Sequence, residues 1–264
     1  YNTVLDALEY RQRDSIHFYF KPVDKRVRNS ISISALKEGI RAWDRDVDRF
    51  LTSEYIPFYN PVEEYLYDTG QWDGKDRIRA LAALVPCSNP HWKELFYRWF
   101  LSMVAHWMGL DKQHGNSTSP LLVGAQGFRK STFCRILLAP ELRFGYTDSI
   151  DFKSKQEAER YLGRFFLINI DEFDQINVNQ QGFLKHLLQK PVANLRKPYG
   201  NTIQEIRRYA SFIGTSNQKD LLTDPSGSRR FICIEVTAPI ETNVTINYKQ
   251  LYAPVSYTHL TLPT

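Results

Sequence analysis

Sulfur is scarce in this chain, and long apolar runs are missing from it. Its 264 residues include three cysteines, Cys87, Cys134 and Cys233, no two of which form a C-x-x-C pair. That spacing argues against a disulfide framework or a cysteine-built zinc site and for a reducing compartment, the cytoplasm. No run of 18 apolar residues occurs, so no membrane-spanning helix is expected, and no signal-peptide pattern opens the chain. There is no internal repeat at a fixed period and no low-complexity tract, which sets aside solenoid and disordered classes. The chain opens on Tyr1 instead of methionine and is expected to be a fragment. Its last stretch, Val255–Thr264, carries no formal charge and no relation to what precedes it, so a non-native replacement of the true C-terminus is expected there.

What is present is a globular composition, 42% hydrophobic and 14% aromatic, on a length ample for a buried core. The net charge of +5 is unevenly spread. Residues 185–208 hold Lys185, Lys190, Arg196, Lys197, Arg207 and Arg208 against Glu205, which is 6 − 1 = +5. This local excess is a candidate contact for a nucleic-acid backbone. Leu36, Ile40, Trp43, Val47 and Phe50 predict a helix over 34–51. Asn60, Pro61 and Glu63 mark another helix start, as cap, first position and capping-box partner. A turn at Trp72–Lys75 leads into a helix carrying Ile78, Leu81, Ala82 and Leu84 that stops before Pro86. From Trp92 to Met108 a long apolar stripe predicts an amphipathic helix packed on a core. The expected organisation is a mostly helical region over 1–110, a compact α/β core over 111–240, and a truncated or non-native tail over 241–264.

The stretch that organises the rest begins at Gly124. The apolar run Leu121–Val123 reads as a buried strand, and Phe133, Ile136 and Leu137 recur at helical spacing. Between them lie Gly124, Gly127, Arg129, Lys130, Ser131 and Thr132, so the order is strand, glycine-containing loop, helix start. That is the context of a phosphate-binding loop, because first-turn amides lack internal partners and point at an anion. Lys130 would place a charge on the terminal phosphates of ATP, and the Ser131 hydroxyl would reach Mg²⁺. The pattern G-x-x-x-x-G-K-[ST] calls for glycine before the lysine, and Arg129 stands there. If the loop keeps its geometry, Arg129 carries roughly 1–2 kcal/mol of strain.

Three later stretches share one form, an apolar strand with polar residues at one end. Phe165–Ile170 is followed by Asp171 and Glu172, the first placed to hold Mg²⁺ and the second to polarise an attacking water. This strand is expected to lie beside the one that feeds the loop, in a parallel sheet. Tyr209–Gly214 runs into Thr215, Ser216 and Asn217, where Asn217 is placed to hydrogen-bond a γ-phosphate or the attacking water. Arg229 and Arg230 open an alternating strand, Ile232–Val236, either as surface charge or as contacts to a phosphate on a neighbouring subunit.

Together these motifs resemble the virulence-associated protein E family, P-loop ATPases related to superfamily 3 helicases and often carried by phages and mobile elements. Pro61–Leu66, Trp72–Ile78 and Arg196–Gly200 are similar to that family as well, so the resemblance covers roughly residues 58–240. It departs at Arg129, where the family mostly has glycine. The resemblance implies an α/β fold in which a helical N-terminal region precedes a compact P-loop, AAA+-like core with a central, mostly parallel sheet. It implies ATP hydrolysis with Mg²⁺, driving translocation or unwinding of DNA, single-stranded above all. The working form would be a homo-oligomeric ring, a hexamer among the options, commonly beside a primase. It also implies a DNA-contacting hairpin between the Asp-Glu and Asn strands, for which Pro198–Asn201 is the candidate turn with Arg196 and Lys197 at the base of that turn, and an arginine among Arg229 and Arg230 that acts on the adjacent subunit's nucleotide. Two other classes fit the residues: a small-molecule phosphotransferase on the same loop, and a nucleotide-dependent DNA-binding switch that does not hydrolyse.

Overall fold

The computed structural model describes residues 1–11, 20–196, 203–218 and 230–261, with side chains at all of these except 194–196, 203–204 and 256–261. Contacts divide the chain into two compact units, Tyr1–Glu64 and Tyr65–Thr264.

The first unit opens with a two-stranded antiparallel ribbon, β1 (Glu9–Tyr10) and β2 (Lys21–Pro22). Helix α1 (Lys25–Lys37) starts on Asp24, whose carboxylate accepts from the Val27 amide at 2.9 Å. The single helix expected over 34–51 is two: α1 ends, and α2 (Asp44–Leu51) begins after a break. Gly39 makes the break. It sits at φ 79°, its amide bonds Leu36 O, and the Ile40 amide bonds Ala35 O. This is the Schellman arrangement that terminates a helix. Helix α3 (Pro61–Tyr67) starts where Asn60 and Pro61 place it, with Asn60 Oδ1 accepting from Val62 N at 3.2 Å.

The second unit begins with α4 (Arg77–Ala82) and α5 (Trp92–Met108). The apolar stripe of α5 is buried along Trp92, Phe96, Trp99, Phe100, Met103, Val104 and Trp107. Then follow β3 (Ser119–Val123), α6 (Lys130–Ile136), β4 (Tyr146–Thr147), α7 (Lys155–Arg164), β5 (Leu167–Ile170), α8 (Val178–Gln189), β6 (Val192–Arg196), β7 (Ile203–Arg207), β8 (Ser211–Ser216), β9 (Phe231–Glu235) and α9 (Tyr248–Thr261). Five strands form one sheet in the order β4-β5-β8-β3-β9, parallel at every pairing. The strand before Asp171 is therefore not the neighbour of the strand before Gly124. β8 lies between them, pairing Gly214 with Leu121 on one side and with Ile170 on the other. β3, β5 and β8 are buried along their whole lengths, as the inner strands of a covered parallel sheet must be.

The part of α9 up to Val255 packs into the second unit. Leu251, Tyr252, Ala253 and Val255 are buried, and the Tyr252 hydroxyl accepts from Ala139 N and donates to Leu137 O, both at 2.9 Å. No helix among the described residues is long and apolar enough to cross a membrane.

The basic segment is only partly a surface. Arg208 is buried, and its guanidinium donates to the carbonyls of Ala210 (2.8 Å), Leu187 (2.9 Å) and Leu188 (3.0 Å) and to that of Lys190. It thereby closes the C-terminal carbonyls of α8, which have no partner within the helix. Arg207 donates to the Trp107 carbonyl at the end of α5, and Lys190 pairs with Glu159 at 2.7 Å. These cations hold the unit together. The expectation that the whole segment faces nucleic acid therefore does not hold for Lys190, Arg207 and Arg208, whose side chains are engaged within the unit.

His106 lies beside this network, buried in α5 with neither ring nitrogen hydrogen-bonded. Burial, reinforced by Arg208 and opposed by Asp111, holds its pKa down at about 4. The unfolded imidazole titrates near 6.5, so between those values the unfolded chain binds more protons. Stability is full above about pH 6.5 and falls by up to roughly 3 kcal/mol as pH drops towards 4. Urea unfolding at pH 7 and pH 4.5 should show this loss in the parent and much less of it in His106→Leu; equal losses would refute it.

Candidate active site

The C-terminal ends of β3, β5 and β8 open into one cleft of about 400 Å³, which the loop from Gln126 to Thr132 borders together with Asp171, Glu172, Thr215, Ser216 and Asn217. Ligands of parallel α/β sheets bind at this end of the strands. Gly124 leaves β3 with its amide on Ser216 O at 3.1 Å. Gly127 then turns the chain at φ 84°, and Arg129 caps α6 at φ 58°, ψ 27°. The arginine thus occupies a left-handed position that glycine fills without a Cβ clash. Its guanidinium stands 3.9 Å from Glu241 Oε1, with both side chains largely in solvent, a contact worth little. Arg129→Gly is expected to leave the fold intact, to change stability by no more than about 1 kcal/mol, and to keep or raise ATP turnover. A large loss of turnover would mean that the arginine side chain itself serves the site.

Lys130 is buried at the base of the loop. Its ammonium donates to Gly124 O (2.7 Å), Ala125 O (2.9 Å) and Asn217 Oδ1 (3.1 Å). Burial lowers its pKa, and the nearby carboxylates of Asp171 and Asp174 oppose that shift. The Ser131 hydroxyl donates to Asp171 Oδ1 at 2.9 Å, and the Thr215 hydroxyl donates to the same oxygen. Glu172, the next residue, has φ 50° and ψ 51°. Among the described residues Asp6, Arg129 and Glu172 alone combine a side chain with positive φ, and two of these border the cleft. Such strain, of order 1–3 kcal/mol, concentrates at functional sites.

The structure thus brings Lys130, Ser131, Asp171, Glu172 and Asn217 together. Sequence reasoning missed Thr215, Ser216 and Asp174, although Thr215 and Ser216 lie inside a stretch already singled out. Period-two alternation would have placed Thr215 on the face of Asn217. Arg230 precedes β9, whose first residue Phe231 pairs with Ser119 at the start of β3, the end of the sheet away from the loop. Arg229 lies outside the described residues. Arg196 is the last residue of β6, its side chain outside the described set, and Lys197 lies outside the described residues altogether.

Chemically the cleft fits a polyanion with a hard divalent cation. Ser131 and Asp171 offer oxygen donors of the kind Mg²⁺ takes, with water completing its shell, and Lys130 offers a point charge. No cluster of three or more His, Cys, Asp or Glu that would hold a metal on protein ligands alone occurs among the described residues.

The family model described as virulence-associated protein E-like domain matches residues 66–259, or 194 of 264. No curated protein matches the chain. Among solved structures, the apo structure of NrS-1 C terminal region (305-718) is similar at a TM-score of 0.54 and 12% identity, over 96% of this chain and 62% of that one. The A form apo structure of NrS-1 C terminal region-CTR is similar at 0.56 and 13%, over 96% and 65%. The chain spans less than two thirds of those chains, and at such identities the likeness is one of fold.

Proposed function

Because the chain belongs to the virulence-associated protein E-like domain family, we propose that it is an ATP-hydrolysing motor acting on DNA, single strands above all, in the replication of a phage or another mobile element. The observation that carries this reading is the pairing of Ser131 Oγ with Asp171 Oδ1 at 2.9 Å, in the cleft that also holds the Lys130 ammonium. Serine after a loop lysine and aspartate at the end of a second strand of the same sheet, here one strand removed, are the two groups that would share one Mg²⁺.

In this reading the loop from Gly124 to Thr132 takes the phosphates, and Lys130 exchanges its carbonyl partners for phosphate oxygens. Ser131 and Asp171 hold Mg²⁺, which neutralises charge on the terminal phosphates when bound. Thr215 fixes the Asp171 carboxylate. Glu172 accepts the proton of the attacking water, and Asn217 orients that water. Arg196, the last residue of β6, and Lys197 after it in the sequence contact the DNA backbone. Arg230 stands too far along the sheet for its own loop, so Arg229 or Arg230 acts on the nucleotide of an adjacent subunit in a ring.

ATP turnover with and without single-stranded DNA, alongside solution mass, tests this. Stimulated turnover in an assembled ring is expected. Transfer of phosphate to a metabolite would favour a phosphotransferase, binding without turnover a switch. Full-rate turnover by a monomer would remove the ring.

A further inference from the structure

Ser216 ends β8, and its hydroxyl joins two parts of the cleft. It donates to Asp174 Oδ1 at 2.7 Å and accepts from the Gln218 amide at 3.0 Å. The Gln218 carbonyl lies farther, at 3.2 Å, so the single hydroxyl proton goes to the charged acceptor. The amide bond closes a serine turn whose middle residue is Asn217. Asp174 belongs to the short 3-10 turn Phe173–Gln175, which follows directly on Glu172.

The left-handed conformation of Glu172 persists only if its surroundings over-determine it. Two contacts fix the body of its turn. The Gln175 amide bonds Glu172 O at 2.8 Å, and the buried Phe173 ring meets Phe231 edge-on, centroids 5.1 Å apart. The Ser216–Asp174 bond is a polar tie from this turn across to β8. Beside the Thr215 hydroxyl on Asp171, this hydroxyl links the segment bearing Glu172 to the segment bearing Asn217, on the far side of Glu172.

We propose that Ser216 and Asp174 are positioning residues for hydrolysis, their bond setting the spacing of Glu172 and Asn217 across the cleft. This rests on the ATPase reading above, which gives neither residue a contact with nucleotide. The pair acts on the position of the attacking water, so its removal lowers turnover and spares ATP affinity.

The test measures ATP affinity and turnover in the presence of Mg²⁺ for Ser216→Ala, Asp174→Ala, Asp174→Asn and the double alanine variant. Each alanine variant is expected to lose about 10–100-fold in kcat, with ATP affinity and KM within about threefold of the parent. Asp174→Asn keeps an acceptor oxygen and should recover most of the rate. The double variant should cost no more than either single change, because both remove one bond. Unchanged turnover in all variants would overturn the proposal and leave the ATPase reading standing. Parallel loss of affinity, turnover and melting temperature, in Asp174→Asn as well, would assign the pair to folding and overturn it too. A parent that binds ATP and never turns it over would overturn both together.

Discussion

Lys130→Ala is expected to abolish ATP binding at physiological concentrations, weakening it by roughly 10²-fold or more. The reason lies in what the ammonium already does. It is buried and satisfied by two loop carbonyls, Gly124 O and Ala125 O, and by Asn217 Oδ1, all within 3.1 Å. Burial disfavours its charge, and Asp171 and Asp174 support it, so the site holds a cation at some cost before any ligand arrives. A cation kept in that position is ready to exchange neutral carbonyl partners for phosphate oxygens, and charge-assisted bonds are the stronger ones. Alanine removes the charge and leaves the carbonyls of Gly124 and Ala125 to water. The fold should survive, since none of the three partners lies in the hydrophobic core. Calorimetric titration of ATP with Mg²⁺, beside a thermal melt, checks this. Affinity within about threefold of the parent in a folded variant would show that the lysine is structural and that nucleotide binds elsewhere.

Much of the architecture could be read from local signals, and most of what could not depends on partners distant in sequence. The α5 stripe, the Asn60–Pro61 start and the strand before Gly124 each depend on residues close in sequence. The order of the sheet does not. β3, β5 and β8 are all buried along their whole lengths, and nothing in their sequences says that β8 stands between the other two. The partial alternation of β9 did carry positional information, since β9 is an edge strand and exposes Glu235. The helix over 34–51 failed because apolar spacing was followed across Gly39, whose left-handed φ ends α1. In sequence Arg208 is one more cation of the basic segment, and no local pattern reveals that it caps a helix some twenty residues earlier in the chain. The site residues split the same way. Lys130, Ser131, Asp171, Glu172 and Asn217 sit at strand ends and loop positions that announce themselves. Thr215 and Asp174 act only through partners more than forty positions away, Asp171 and Ser216, and those pairings become visible only when the strands are side by side.

Glu172→Gln separates binding from chemistry and should cost turnover about 10²–10⁴-fold while ATP affinity stays within about threefold. Glutamine has the size of glutamate and can still hydrogen-bond a water, but its amide cannot accept the proton that water must lose. The backbone demand is unchanged, because both residues meet the same left-handed conformation at φ 50°. Asp171 is the discriminating neighbour. Its Oδ1 accepts from both Ser131 and Thr215, which commits it to the metal side of the cleft. Asp171→Asn should therefore weaken Mg²⁺-dependent ATP affinity, whereas Glu172→Gln should leave it in place and accumulate bound, uncleaved ATP. Single-turnover measurements on both variants read the difference directly. If Glu172→Gln cleaved ATP at the parent rate, the proton would have another acceptor, and Asp174, the next carboxylate along the same turn, would be the first to test. If Glu172→Gln instead lost Mg²⁺-dependent affinity as Asp171→Asn does, Glu172 would belong with the metal and not with the water.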